Sequence, residues 1–227
     1  MSKILPVSVV CSEQIGTLKG SLLPEEAELL GPGTVPGRVQ EFAAGRTCAR
    51  IALESIGVSP RPLLMGRRRE PLWPLGVTGS ITHCKDYCAA AVVSTQHYVG
   101  IGIDAEPNRP LPLDVLEIVS VSSERDWLSR CSNNSLCWDR LLFSIKESIY
   151  KAWFQVTQQW LGFDQAIVEI QSSTRTFTAA IQHLDVSFPK RIEGSYLATS
   201  SLLLTSAWVP SIATTILGGI RHHSAIT

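Results

Sequence analysis

The sequence predicts an α+β protein in which a helix associated with a sheet occurs twice, once before about Pro107 and once after. Two observations carry this. Two long stretches place apolar residues at helical spacing, and short runs rich in small and β-branched residues, bounded by Gly, Pro and Ser, read as strands. A third bounds the size: 227 residues, 44% hydrophobic and 18% charged, make a folded chain with a core for one large or two small domains. Division after residue 107 gives an N-terminal half, 1–107, and a C-terminal half, 108–227. No internal repeat accompanies the doubling. A single active site in the cleft between the halves is the economical inference, because pockets favour such interfaces.

The elements follow in chain order. "MSKILPVSVVCSEQ" reads as a first strand and not as a secretion signal, since Pro6 and Ser8 interrupt its apolar run and no small-residue cleavage site follows. "GRVQEFAAGRTCARIALESIGV" has Phe42, Cys48, Ile51, Ala52 and Ile56 at helical spacings, with Gly57 as the stop and Arg38, Arg46 and Arg50 on or near the polar side. "RPLLMGRRREPLWPLG" is loop. "AAAVVST" and "YVGIGID" are two strands joined by a short polar turn. "RPLPLDVLEIVSVSSERDWLSRCSNNS" mixes short helix and loop. "WDRLLFSIKESIYKAWF" is a helix burying Leu142, Ile145, Ile149 and Trp153. "AIVEIQ", "FTAAIQHL" and a final pair within "YLATSSLLLTSAWV" supply strands. The run from Gly194 to Ile220 holds no charged side chain. Pro210 and its many Ser and Thr residues nevertheless favour a hairpin over a membrane span.

Charge and cysteine usage exclude further classes. Twenty basic and twenty acidic residues cancel, so no broad nucleic-acid or anionic-membrane surface is expected. A local basic patch remains: from Gly31 to Glu70 there are seven arginines against three glutamates, suited to a compact anion. The six cysteines show no CxxC pairing, consistent with a cytoplasmic protein and reduced thiols. A zinc site drawing on His83, Cys84 and Cys88 is set aside, because it lacks a fourth ligand and the usual tighter spacing.

The chemistry-bearing residues begin with "GIGIDAEPNRP". In a strand, residues two apart project to one face, so Asp104 and Glu106 point the same way with Ile101 and Ile103 behind them. Side-by-side carboxylates repel unless one is protonated, both are solvated, or a cation sits between them. On the later helix, Glu147 and Lys151 are four apart and share a face turned from the apolar stripe, while Lys146 lies at the stripe's edge. Taken singly, these are a surface ion pair and a solvated turn. Together, three carboxylates, two lysines, His83 and an arginine-rich helix suit a magnesium-bound polyphosphate. Neither GxxxxGK[ST] nor a strand-following GxGxxG is present, which disfavours the usual NTPase and dinucleotide folds.

"VTGSITHCKDYCAAAV", "VGIGIDAEP" and "WDRLLFSIKESIYKAWF" resemble, in order and spacing, the three signature blocks of the 4′-phosphopantetheinyl transferases that modify carrier proteins. "EFAAGRTCARIAL" resembles the upstream block of the subgroup containing the enterobactin-synthase component. The likeness runs from about Arg38 to Phe163. It implies a monomer of two similar α/β halves in pseudo-twofold arrangement, with the cofactor between them. It also implies transfer of the 4′-phosphopantetheine group of coenzyme A to a serine hydroxyl of an apo carrier protein, with release of 3′,5′-adenosine bisphosphate.

By the same resemblance Asp104, Glu106 and Glu147 coordinate Mg²⁺, Glu147 serves as base, and Lys146 and Lys151 hold phosphate oxygens. Ser80, Thr82 and His83 belong to the coenzyme A side, His83 on a phosphate, with Arg46 and Arg38 on the 3′-phosphate. Thr82 stands where many relatives have serine. Met65 stands where relatives often carry a basic residue, and Arg67 or Arg68 is expected to compensate. "LPLDVLEIV", Leu111 to Val119, is the candidate docking surface for the carrier, a core helix explaining the pattern equally. Carriers of fatty-acid, polyketide and nonribosomal-peptide synthesis all remain open. The competing readings are a Mg²⁺-dependent phosphohydrolase and a non-catalytic coenzyme A binder.

Overall fold

The computed structural model describes residues 1–131, 136–183 and 189–211. After a 3₁₀ turn, Ser2–Ile4, the order is β1 (Val10–Ile15), α1 (Pro24–Ala27), α2 (Pro36–Ser55), β2 (Val77–Cys84), β3 (Tyr87–Ser94) and β4 (Tyr98–Pro107). There follow α3 (Leu113–Val119), α4 (Ser122–Leu128), α5 (Trp138–Thr157), a second 3₁₀ turn (Phe163–Gln165), β5 (Ala166–Gln171), β6 (Thr176–Ile181), β7 (Arg191–Ala198) and β8 (Leu202–Pro210). The first strand thus starts later than its apolar run suggests, because Leu5 and Pro6 follow the opening turn.

Two antiparallel sheets form, ordered β1-β3-β2 and β4-β8-β7-β6-β5. The strands read from "AAAVVST" and "YVGIGID" are both present but lie in different sheets. β3 has both edges occupied, by β1 and β2, so β4 turns away and pairs with β8, Asp104 opposite Thr205 and Glu106 opposite Leu203. The C-terminal hairpin is β7–β8, its turn closed by Leu202 N–H donating to Thr199 Oγ1 at 2.9 Å. Positions 212–220 of the charge-free run lie outside the described residues. Among the described residues no helix is long and apolar enough to cross a membrane.

Each sheet carries one long helix. α2 buries Ala44, Cys48, Ala49, Ala52 and Leu53 against Cys88, Ala90 and Val92 of β3. Its small side chains allow the close approach. Ile51, expected inside, is about half exposed on the helix flank. α5 buries the expected stripe of Leu142, Ile145, Ile149 and Trp153, against Phe177, Ile192, Tyr196 and Ala207. Each of these large side chains contributes about 1.5–3 kcal/mol by leaving water.

The glycines of "GIGID" explain how α5 sits on β4. A Cβ at Gly102 would run into the Ser148 carbonyl oxygen, and one at Gly100 into that of Ala152. Because Gly100, Gly102, Asp104 and Glu106 alternate on one face, this contact puts both carboxylates beside α5. On the opposite face Ile103 and Ala105 pack with Tyr87, Ala89 and Ala91 of the three-stranded sheet.

Candidate active site

Where the two sheets meet, β2 and β4 run close to α5 without completing a ladder between them. Side chains satisfy the backbone instead. Gln155 Nε2 donates to Gly79 O and Ile101 O, both at 2.7 Å, and its Oε1 accepts from Ile101 N–H and from Thr78 Oγ1. Ile103 N–H donates to Ser80 Oγ at 3.0 Å, and Lys151 Nζ donates to Ile103 O at 3.0 Å. These bonds fix the spacing between the strand bearing Ser80, Thr82 and His83 and the strand bearing Asp104 and Glu106.

Asp104 is 6% exposed and fully bonded. Lys151 Nζ lies 2.8 Å from Oδ1, which Thr82 Oγ1 also approaches at 3.3 Å, and Ser144 Oγ donates to Oδ2 at 2.9 Å. Glu106 Oε2 takes a 3.0 Å ion pair from Arg140 Nη1. Burial pushes the Glu106 carboxyl up, and Asp104 adds to the rise against the pull of Arg140 and Lys151. Glu147 is likewise pushed up by burial, opposed by Lys151 and reinforced by Asp104 and Glu106. The helix carboxylate therefore feels the charge of the strand-end pair.

On the other side of the gap, Arg38 Nη1 donates to His83 Nε2 at 2.6 Å, and His83 Nδ1 faces Glu41 Oε2 at 3.5 Å. Burial, with Arg38 and Lys151, holds His83 below its ordinary pKa against Glu41 and Asp104. The ring is neutral at pH 7, its proton on Nδ1. Arg46 was expected near the polar side of α2 but is only 4% exposed. Its Nε donates to Leu63 O at 2.8 Å, its guanidinium lies over the Phe42 ring, and its Nη2 is buried without a partner. Burial lowers it to about 10, with Glu26 opposing and Arg50 and Arg38 assisting.

Three adjoining cavities form the cleft. The central one, about 500 Å³, is lined by Ser80, Glu147, Lys151, Gln155 and the Arg68–Arg69 loop. A second, about 490 Å³, lies between Arg67, Arg68, Tyr150, Trp160 and Phe163. The smallest, about 140 Å³, is lined by Arg38, Arg46, Met65, Arg69 and His83. Arg67 and Arg68, expected to compensate for Met65, do not line the cavity Met65 lines.

Lys146 departs from its expected place at the stripe's edge. It is 2% exposed, and its ammonium is held by Glu124 Oε2 at 2.6 Å and Phe163 O at 2.7 Å. An ammonium so engaged spends two of its three donors bracing α5 against α4 and the Phe163 turn, while the side chain lines the second cavity.

Residues 25–93 match the family model for the 4′-phosphopantetheinyl transferase N-terminal domain, and residues 100–202 that for the 4′-phosphopantetheinyl transferase superfamily. The 4′-phosphopantetheinyl transferase PptT of Mycobacterium tuberculosis is 45% identical over 156 residues, covering 69% of this chain and 68% of that protein. Npt of Nocardia iowensis is 36% identical over 215 residues, 89% of this chain and 96% of that protein. The chain belongs to the 4′-phosphopantetheinyl transferase family. Svp of Streptomyces mobaraensis, another 4′-phosphopantetheinyl transferase, is 49% identical over 162 residues, 70% of this chain, and the matched stretch spans 65% of its length. Enterobactin synthase component D of Salmonella typhi is 37% identical over 137 residues, 60% of this chain and 57% of that protein.

Among the described residues, no three His, Cys, Asp or Glu side chains form a metal cage by themselves. Magnesium does not require one: it uses one or two carboxylates and completes its shell with water and substrate phosphate. Burial is the main cause that raises Glu106 and Glu147, and Asp104 adds to both rises, a repulsion of the kind that a hard divalent cation relieves. Donor chemistry and local electrostatics therefore fit Mg²⁺.

Several residues of the site were not singled out from the sequence. Ser144 and Arg140, which hold Asp104 and Glu106, look like ordinary polar positions of an amphipathic helix. Gln155 left no sequence signal. Glu124 left none either: its Oε2 accepts Val121 N–H at 2.9 Å as the third residue of α4, but the N-cap is Val121 and not the Ser or Thr of a capping-box motif.

Proposed function

We propose that this protein transfers the 4′-phosphopantetheine group of coenzyme A to a serine hydroxyl of an apo carrier protein, releasing 3′,5′-adenosine bisphosphate. The observation that carries the reading is the meeting of Asp104 and Glu106 from β4 with Glu147 and Lys151 from α5, beside a cleft rimmed by arginines. Asp104, Glu106 and Glu147 would hold Mg²⁺, which when bound supplies neutralisation of diphosphate charge. Glu147, which faces the central cavity, takes the proton of the serine hydroxyl. The serine oxygen then bonds to the phosphorus bearing pantetheine as the bond to the adenosine bisphosphate oxygen breaks. Lys151 polarises a phosphate oxygen, and Lys146 keeps α5 in place through Glu124. Neutral His83 and its partner Arg38 bind a cofactor phosphate, with Arg46 offering its unpartnered Nη2 to the 3′-phosphate and Ser80 and Thr82 shaping the wall.

The two halves of a pseudo-twofold monomer are residues 1–107 and 108–227, with β4 the strand by which the first half enters the second sheet. Carriers dock on α3. There Leu111 and Val119 are buried while Leu113 and Ile118 are 83% and 71% exposed, so one short segment both anchors and presents an apolar face. Six free thiols suit a cytoplasmic setting.

Intact mass spectrometry of apo carrier proteins incubated with the enzyme, coenzyme A and Mg²⁺ tests the reading. A gain of one phosphopantetheine mass is expected, lost with EDTA. Cofactor cleavage without an adduct would instead assign a hydrolase. Binding with neither outcome would assign a coenzyme A binder.

A further inference from the structure

We propose that Arg140 is a positioning residue for the divalent cation: it fixes the Glu106 carboxylate as a ligand by tying it to the backbone of the loop that follows β4. This rests on the Mg²⁺ reading above. Arg140 lies in the first turn of α5, and its guanidinium spends donors in three directions. Nη1 donates to Glu106 Oε2 at 3.0 Å, Nε to Arg109 O at 3.1 Å and Nη2 to Pro110 O at 3.1 Å. The same turn grips the loop elsewhere. Asp139 Oδ2 accepts Leu111 N–H at 2.7 Å, and Asn108 Oδ1 accepts Cys137 N–H at 2.9 Å. Pro107, Pro110 and Pro112 restrict the backbone within and beside this loop. Arg140 therefore joins a mobile kind of side chain, a glutamate, to a frame that is already pinned.

The position of Arg140 on α5 is an independent argument. Arg140, Ser144, Lys151 and Gln155 recur at intervals of four, seven and four, which keeps them on one face of the helix. In that order they meet Glu106, Asp104, Asp104 with Ile103 O, and Ile101 O, so one polar seam of the helix reads β4 from its end back to its middle. Asp104 is held at both oxygens by that seam and Thr82. Glu106 is held at one. Among the described residues its Oε1 makes no hydrogen bond, and Arg140 is the side chain that orders it. A long glutamate side chain without such a partner samples many rotamers. Only a planar fork reaches a carboxylate and two separate carbonyls at once, which a lysine ammonium does not.

Charge alone predicts the opposite effect. A guanidinium beside a metal ligand repels a divalent cation, so its removal would tighten binding by Coulomb's law. A positioning role predicts weaker binding, because outer partners that orient a ligand are worth about ten- to a hundredfold in metal affinity. The sign of the change separates the two.

The test titrates Mn²⁺ onto the protein with coenzyme A and no carrier, reading the free ion by electron paramagnetic resonance, and measures the Mg²⁺ dependence of carrier modification alongside. Arg140→Met is expected to weaken cation binding by about ten- to a hundredfold. The half-saturating Mg²⁺ concentration should rise by a similar factor, with a smaller fall in kcat at saturating Mg²⁺. Arg140→Lys, keeping the charge without the fork, should lie between. In a Glu106→Gln background Arg140→Met should add no further loss, since its effect passes through that carboxylate. Arg109 and Pro110 are exposed, so water replaces the donors their carbonyls lose and the variants should fold; should Arg140→Met not fold, Arg140→Lys against wild type decides by the same sign. Unchanged or tighter cation binding in the variants would overturn the proposal, as would a loss that persists in full in the Glu106→Gln background. A wild-type protein that binds no Mn²⁺ would overturn the Mg²⁺ reading and this proposal with it, whereas a wild type and variants that bind the ion equally well would overturn this proposal alone.

Discussion

Lys146 and Glu124 offer the sharpest separation of structural from chemical work. Their side chains are about 1% and 3% exposed and 2.6 Å apart. Glu124 also accepts Val168 N–H at 2.9 Å and Val121 N–H at 2.9 Å, tying α4, α5 and β5 together. Removing one partner of a buried pair leaves the other charge without compensation, at a cost of about 3–5 kcal/mol. Glu124→Ala also orphans the buried Val168 amide, worth about 1–3 kcal/mol more. In a chain of this size each kcal/mol moves Tm by about 2–4 °C, so a fall on the order of 10 °C is expected. Lys146→Met should cost less, because Glu124 keeps its two amide donors. Lys146→Met combined with Glu124→Gln should recover part of the loss, with a coupling of about 2 kcal/mol in a double-mutant cycle. Urea unfolding and turnover below every transition are the assays. A bracing role predicts that folded Lys146→Met keeps kcat within about tenfold of wild type, whereas a phosphate-polarising group is worth about 10²-fold or more. An unchanged Tm with kcat down a hundredfold or more would refute the bracing argument and return Lys146 to the phosphate.

Asp104→Asn, or EDTA on the wild-type protein, should lower carrier modification by at least about 10²-fold in the mass assay, since the variant weakens both the cation site and the Lys151 pair; transfer unaffected by chelation would remove the metal from the reading. His83 has a folded pKa below the ordinary 6.5, so the unfolded chain takes up its proton first and stability is lost as pH falls below about 6.5. Unfolding free energies from pH 7.5 to 5.5 should therefore decline more steeply for wild type than for His83→Gln, and parallel curves would contradict that assignment. Gly102→Ala should cost about 1–3 kcal/mol or more by forcing β4 away from α5, with turnover falling further as Asp104 shifts; a variant as stable as wild type would mean that the strand–helix contact is looser than described.

What was legible in the sequence is what periodicity encodes. The α5 stripe, the strand alternation that turns Asp104 and Glu106 to one face, and the β7–β8 hairpin all follow from side-chain spacing, which records which face is buried. Pairing across long separations is not recorded that way. Nothing in "AAAVVST" and "YVGIGID" says that β3 would have no free edge and that β4 would close the second sheet against β8, about a hundred residues later. Polar side chains buried for structural reasons were misread for a related cause: Arg46 and Lys146 look solvent-facing by composition, because lysine and arginine are seldom buried without a partner. Their partners, Leu63 O and Glu124, lie 17 and 22 residues away in sequence. Gln155 is the extreme case. Its amide joins β2 to β4 by taking the place of ladder hydrogen bonds that neither strand can make there. The gap it spans separates the strand bearing His83 from the one bearing Asp104, so a side chain without any motif sets the width of the proposed cofactor site. Motifs name the groups that do chemistry, while the distance between those groups is set by residues whose type is dictated only once the fold has brought unpaired backbone groups together.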